Sequence, residues 1–568
     1  MKDFKPQKMV GWFDIQQLAT TAIRAILSSI FGSYADKRET VASITKSEVY
    51  DDCGWDKELW LDYISDTGDG FNSTFTMAKL ISSDQLAVQA NDKEINLPRG
   101  KIAVFGGDLV YPTPTRQLYQ DRFIGPLQAA APRVEGGTEA DMFVLPGNHD
   151  WYDGLTNFIK IFCRKHRIGS YRTRQDRSYF AIKLSHNTWL WAIDIQLESD
   201  IDKPQLDYFE FVASNNMKKG DKIILCTAEP SWIYNTSKRV DTTYINLEYF
   251  EKTCIVEKGF EQILTLAGDL HHYARYEEIS ESGKVRYKIT SGGGGAFLHP
   301  THNLPYKLNR MHDGDFELRK TFPDQKKSFK MAFGNLLFPI KNLSFGFFLA
   351  FIHLYLAWSI RISSSLDQDP GDILVQIRTM GLSDIHQVNE RLINSFANSF
   401  SAVTVLLLFA FGFYKFCDSN SSKLRFVGVA GLIHGLLHIA LMLFSLWAFT
   451  YISYNMLESL NLVSDITIIM SVVLFTVLIG GFVSGLLVGL YLIFCNLVLG
   501  IHDNEAFSSM KIEGHKNFLR MHLKDNKLTI YPIGLKKIAR WKPELGSFIT
   551  KDKLSPELIE SPIVIDLD

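Results

Sequence analysis

Met142-Phe143-Val144-Leu145-Pro146-Gly147-Asn148-His149-Asp150 joins a short apolar run to a turn carrying an amide, an imidazole and a carboxylate in succession. Four apolar residues closed by Pro-Gly read as a buried strand that delivers polar groups at its carboxyl end. The pattern recurs along the chain. Residues 101–105 run into Gly106-Gly107-Asp108, residues 189–193 into Asp194, residues 222–226 into Thr227-Ala228-Glu229-Pro230, and residues 263–267 into Gly268-Asp269-Leu270-His271-His272. Longer mixed segments between them, 73–81 and 115–128, read as helices. The layout is α/β, with ligand groups expected at strand ends.

Singly, each aspartate reads as a cap or turn residue. Together, Asp66, Asp108, Asn148, His149, Asp269 and His271 supply the carboxylate, amide and imidazole donors that hold divalent cations. With Gly-Gly-Asp-Leu-Val-Tyr at 106–111, Pro-Gly-Asn-His-Asp at 146–150 and Gly-Asp-Leu-His-His at 268–272, the chain resembles the calcineurin-like metallophosphoesterase superfamily over about residues 58–300. The resemblance implies two packed mixed β-sheets flanked by helices, and one or two divalent metal ions (Mn, Fe, Mg or Zn). It also implies hydrolysis of a phosphate mono- or diester by a metal-activated water. By the same likeness Asp66, Asp108, Asn148, Asp269 and His271 are the metal ligands, with Asp108 shared between ions. His149 assists the leaving group, with Asp150 as its partner.

This chain departs from the family pattern at three points. Asp66-Thr67-Gly68 stands where the family has Asp-x-His, Gly268-Asp269-Leu270-His271 where it has Gly-His-x-His, and Ala228-Glu229 near a further expected histidine. Asp69, Glu229 and His272 are the candidates to compensate. Fewer imidazoles and more carboxylates favour manganese or magnesium over zinc. The same losses leave room for a second reading, an inactive binding or scaffold module.

Other polar clusters have plainer readings. The glycine run after Ser291 is a turn passing close to the site, and no Gly-Lys-Ser/Thr follows it. His299 and His302 read as loop histidines, Arg172, Arg174 and Arg177 as a solvated charged stretch, and Asp194 as a loop-shaping residue.

The 568 residues exceed one ordinary core. Sixty Lys+Arg against 62 Asp+Glu leave a net charge of −2, so no global field favours nucleic acid. The six cysteines are scattered without a Cys-x-x-Cys pair, which argues for reduced thiols. Residues 12–31 carry a helical apolar stripe fit for packing or for a membrane surface.

Charge thins after about residue 340. Four apolar stretches, about 343–360, 398–416, 426–451 and 466–499, are long enough for bilayer spans. Lys326, Lys327, Lys330 and Lys341 precede the first span, Lys415, Lys423 and Arg425 crowd the second connection, and Lys511 and Lys516 follow the last, while residues 452–465 hold no Lys or Arg. By the positive-inside bias, both large ends face the cytoplasm. His434 and His438, one helical turn apart, are intramembrane candidates with His353 on another span; a transporter or redox protein built on them is a further alternative. The expected organisation is a 1–57 amphipathic helical segment, a 58–325 catalytic domain, a 326–500 α-helical transmembrane domain of four helices, and a 501–568 cytoplasmic tail. In that tail Leu-Thr-Ile-Tyr-Pro-Ile-Gly at 528–534 reads as a strand ending in a turn that could return to the catalytic domain and add to its sheet or cover its cleft. A phosphorylated substrate and the lipid bilayer are the expected partners.

Overall fold

The computed structural model describes residues 4–20, 23, 38, 49–51, 58–91, 93–134, 136–195, 201–237, 242–279, 285–309, 311–366, 371–417, 427–544 and 546–568. The chain divides into two compact units: Met1–Val10, Ala19–Phe329 and Lys511–Asp568 form one, Gly11–Leu18 and Lys330–Met510 the other.

The first unit is built on two mixed sheets. Among the described residues, one sheet takes the order Tyr50–Asp51, Phe180–Lys183, Thr188–Ile193, Lys222–Thr227, Glu261–Ala267, Tyr287–Ser291, Tyr273–Glu278, Phe316–Phe322, Lys307–Leu308. At the centre of the other, Glu58–Ile64, Ile102–Phe105, Ala140–Val144 and Tyr171–Thr173 run parallel side by side. Alternation sends Leu61, Tyr63, Val104 and Phe143 from one sheet, and Leu190, Ile224 and Leu264 from the other, into a shared buried core. Helices Phe71–Ile81 and Gly125–Ala130 cover the outer face of one sheet, and Lys203–Asn216 and Thr242–Phe250 that of the other.

Residues after 510 return to this unit and add to its sheet, one of the two courses the strand in the tail allowed. Lys516–Lys524 pairs antiparallel with Glu58–Ile64 on one side and Lys527–Leu535 on the other, so this strand lies inside the sheet. Phe518, Leu519, Met521 and Leu523 are buried, as a strand covered on both faces requires. Arg520 opposite Asp62 makes a fully buried two-point ion pair, Nε to Oδ1 at 2.7 Å and Nη2 to Oδ2 at 3.1 Å. Its other donors reach the carbonyls of Leu97 and Ile81. The domain boundary expected near 325 therefore omits part of the sheet.

The 1–57 segment is not independent either. Lys5 N donates to Asp121 Oδ1 (2.8 Å) and Phe71 N to Gln7 O (2.9 Å), tying the start of the chain to this unit. Residues 15–20 are helical, while 21–22 and 24–31 of the amphipathic stretch lie outside the described residues. Cys163, Cys226, Cys254, Cys417 and Cys495 are buried free thiols; Cys53 lies outside the described residues.

The second unit is helical. Leu343–Ser364, Val427–Ser459 and Asp465–Leu499 are long and apolar enough to cross a membrane. The expected second span is the 17-residue helix Phe400–Phe416, bent by 92° from Leu382–Ala397. Ser399 causes the break: its Oγ accepts from Ala402 N and starts a new helix. The pair counts as a fourth span if taken as one bent element. Gly480 ends a π-helical turn over Thr476–Gly480 inside Asp465–Leu499.

Candidate active site

Three aspartates arrive at one point by the same local device. Asp66, Asp108 and Asp269 each follow a strand and hold left-handed backbone, with φ of 57°, 48° and 65°. Left-handed backbone costs an L-residue roughly 1–2 kcal/mol and persists only where its surroundings enforce it. Here they do. Asp66 N bonds Gly107 O (2.9 Å), Thr67 N bonds Asp108 O (3.0 Å), and Asp269 N donates to both oxygens of the Asp66 carboxylate (3.1 and 3.0 Å). Gly147 completes the fit, because a Cβ there would overlap the Asp108 carboxylate.

The centre of this cluster holds a phenol oxygen. Tyr111 Oη lies 3.1 Å from Asp66 Oδ1, 3.1 Å from Asp108 Oδ2 and 3.0 Å from His271 Nε2. His271 Nδ1 is 2.7 Å from the Phe297 carbonyl. A carbonyl only accepts, so Nδ1 carries the proton and the Nε2 lone pair faces the carboxylates. Burial, then the neighbouring His299, holds His271 well below the usual imidazole range, so it is neutral. Burial, then the Asp108 carboxylate, raises Asp66 well above the usual carboxylate range; burial, then Asp269, raises Asp108.

Asn148 and His149 start the short helix Asn148–Trp151 at the half-buried mouth. Asn148 Oδ1 is buried and, among the described residues, has no hydrogen-bond partner. His149 N donates to Asp108 Oδ1 (2.9 Å), and its Nδ1 donates to the Pro112 carbonyl (2.9 Å).

Among the described residues, no group of three or more His, Cys, Asp or Glu side chains is already arranged to hold a metal ion. The donors nevertheless fit a divalent cation. The amide oxygen is orphaned among the described residues, the imidazole turns its lone pair inward with its other nitrogen anchored on a carbonyl, and the crowded carboxylates raise one another's pKa. Tyr111 Oη occupies the shared position as a fourth oxygen donor. Nothing in its sequence setting beyond its place in Gly-Asp-Leu-Val-Tyr marks it, and reading donors only among Asp, Asn and His passes over it.

Residues 60–273 match the family model described as calcineurin-like phosphoesterase. This segment is a calcineurin-like phosphoesterase domain. Among solved structures, a purple acid phosphatase from yellow lupin (Lupinus luteus) seeds aligns at 10% identity with TM-score 0.30, over 49% of this chain and 50% of that one. PhoD aligns at 10% identity with TM-score 0.27, over 42% and 58%. The chain thus spans between half and three-fifths of the length of these two structures. No curated relative matches the chain.

The remaining candidates sort by their contacts within the phosphoesterase domain. Asp150 does not partner His149. It is fully buried and accepts from Tyr119 Oη (2.5 Å), Gly147 N (2.9 Å) and Leu109 N (3.2 Å), clamping the two motif loops together. Asp69 Oδ1 accepts from Val10 N (2.7 Å) with Arg122 3.9 Å away, while its buried Oδ2 has no hydrogen-bond partner among the described residues. His272 is buried, with the backbone of His299 and Pro300 beside its ring. Glu229 is half-buried at the end of Lys222–Thr227. Asp269 accepts a hydrogen bond from Tyr234.

Gly68 admits no imidazole in its place, since a Cβ there would overlap the Leu109 carbonyl oxygen. His299 is not a plain loop histidine: its ring stacks on His271 at 4.0 Å. His302 instead bonds Ser328. Arg172 and Arg174 both pair with Asp141, Arg177 pairs with Asp176, and Asp194 accepts from Trp151, all as structural contacts. In the helical unit His434 and His438 share a hydrogen bond, Nε2 to Nε2 at 3.1 Å, and His353 bonds Ser484.

Proposed function

We propose that this protein is a membrane-anchored phosphoesterase that hydrolyses a phosphate mono- or diester at a divalent-cation centre, with both soluble ends on the cytoplasmic side. One observation carries the reading: Asp66, Asp108 and His271, far apart in sequence, meet within hydrogen-bond reach of one oxygen atom. Asp66, Asp108, His271, Asn148 and Asp269 would hold manganese, magnesium, iron or zinc. The cation, when bound, supplies Lewis-acid polarisation of the phosphate and lowers the pKa of a water.

The chain's own groups do the rest. His149, neutral because burial lowers its pKa, keeps its proton on Nδ1 against Pro112 O. An anionic phosphate beside it favours the protonated ring. His149 then hands a proton from Nε2 to the leaving oxygen, a general-acid role. Asp150 acts one step away, by holding Gly147 and Leu109 and thus the backbone of Asp108 and His149. Tyr111 orients both carboxylates. Three apolar helices with a bent fourth element favour residence in a lipid bilayer, and a lipid-linked or soluble phosphate ester suits such a site.

The same tyrosine favours a second reading, a binding module without turnover, because its hydroxyl satisfies the donors that would otherwise call for a cation. Purified full-length protein in detergent, reloaded with Mn2+, separates the two on p-nitrophenyl phosphate and bis-p-nitrophenyl phosphate. Turnover lost in Asp108→Ala supports the esterase; none with either ester supports the module.

A further inference from the structure

Lys516 opens the strand Lys516–Lys524, well outside the region 60–273 that matches the phosphoesterase family. The backbone draws it in beside the site. Asn517 N donates to Gly293 O (3.1 Å), and Ser291 Oγ donates to Asn517 Oδ1 (2.8 Å). The same glycine-rich run then bonds the first aspartate's loop, Gly294 N to Ser65 O (2.8 Å) and Ala296 N to Asp66 O (2.9 Å).

The side chain of Lys516 is fully buried, and among the described residues its Nζ has no hydrogen-bond partner. The charges it faces are those of Asp69, Glu513 and Asp66, with the His271 ring also within its field. A buried ammonium is expensive unless nearby negative charge repays the lost hydration. Asp69 already has Arg122 beside it. Glu513 has Arg540 beside it at 3.5 Å, so the remaining charge that Lys516 faces is that of Asp66.

We propose that Lys516 is a positioning residue of this site: a fixed ammonium that takes the place of one metal ion's charge, so that the cluster loads a single divalent cation. The inference rests on reading the cluster as a cation centre. It makes the strand after the helical unit part of the site's electrostatics as well as of its sheet. Cation uptake is opposed by positive charge already present in a low-dielectric interior, so removing the ammonium tightens binding and opens room for a second ion.

The test is a count of Mn2+ bound to metal-stripped, full-length protein, by titration and elemental analysis, taking site occupancy as the part lost in Asp108→Ala. One ion per chain is expected for the wild type and for Lys516→Arg. Lys516→Met is expected to take two, or to bind its one ion about tenfold more tightly. A wild type holding two ions at the site overturns the proposal without any variant. So does a folded Lys516→Met whose count and affinity both equal those of the wild type. No Mn2+ lost in Asp108→Ala refutes the underlying cation centre instead, and with it the role given to Lys516.

Discussion

Tyr111 Oη stands 3.0 Å from His271 Nε2 while it reaches the carboxylates of Asp66 and Asp108, each at 3.1 Å. One hydroxyl proton is thus shared among three acceptors, and the phenol aligns all of them on a common centre. Replacing Tyr111 by Phe keeps the ring contacts with His149 and His271 but removes that alignment. Groups that orient metal ligands typically control about 10–100-fold in affinity or rate. Tyr111→Phe is expected to lower kcat/KM by that factor in steady-state assays with Mn2+; an increase would mark the hydroxyl as a plug.

The raised aspartates predict a pH-dependent liability in the metal-free protein. Asp66 and Asp108 have folded-state pKa values above the usual 3.8, and Asp108 is pushed up to about 8, burial being the first cause. The folded state therefore binds protons that the unfolded chain has released. Stability from these groups is full below about pH 4. It is lost as pH rises through about 8, where both states are ionised and the buried charges repel. Thermal melts in EDTA should show Tm falling between pH 5 and 8 relative to melts with Mn2+. Parallel pH curves with and without the ion would contradict this.

His149 and Asp150 should separate by the kind of damage they cause. His149→Asn removes a proton donor and should cost about 10²–10⁴-fold in kcat, with Mn2+ binding intact. Asp150→Asn leaves Gly147 N, Leu109 N and Tyr119 Oη competing for fewer acceptor sites, so it should lower Tm before it changes the chemistry. Melting curves beside kinetics on both variants distinguish these outcomes.

Arg520 and Asp62 test whether the last strand belongs to the domain. Arg520→Met leaves the Asp62 carboxylate buried and unpaired, an arrangement that costs about 3–5 kcal/mol. Denaturant unfolding of the full chain should show a loss of that size for the phosphoesterase domain. Chains ending at residue 510 should yield no folded phosphoesterase domain, as followed by limited proteolysis.

The α/β layout and the motif loops were legible because strand, glycine and polar group follow one another within a few residues of Asp108, Asn148 and Asp269. The contribution of Lys516–Lys524 was harder to read. A strand's partner is chosen by long-range pairing, and nothing local in Lys-Asn-Phe-Leu-Arg points to Glu58–Ile64 rather than to a free tail. Arg520 stands inside an apolar run, and its opposition to Asp62 explains it there. Asp150 and Asp69 were read from adjacency to the motifs, whereas their partners, Tyr119 and Val10, come from other segments. His299 looked exposed because the loop that folds it onto His271 has no regular period. The break at Ser399 is a local capping event inside an otherwise span-like run, invisible to an average over hydropathy.

The most direct measurement follows bis-p-nitrophenyl phosphate hydrolysis and Mn2+ occupancy together, on stripped and reloaded full-length protein and on Asp108→Ala. Rate and occupancy should rise in step for the wild type and vanish together in the variant. A wild type that fills this site with Mn2+ yet cleaves neither a diester nor a monoester would contradict the account.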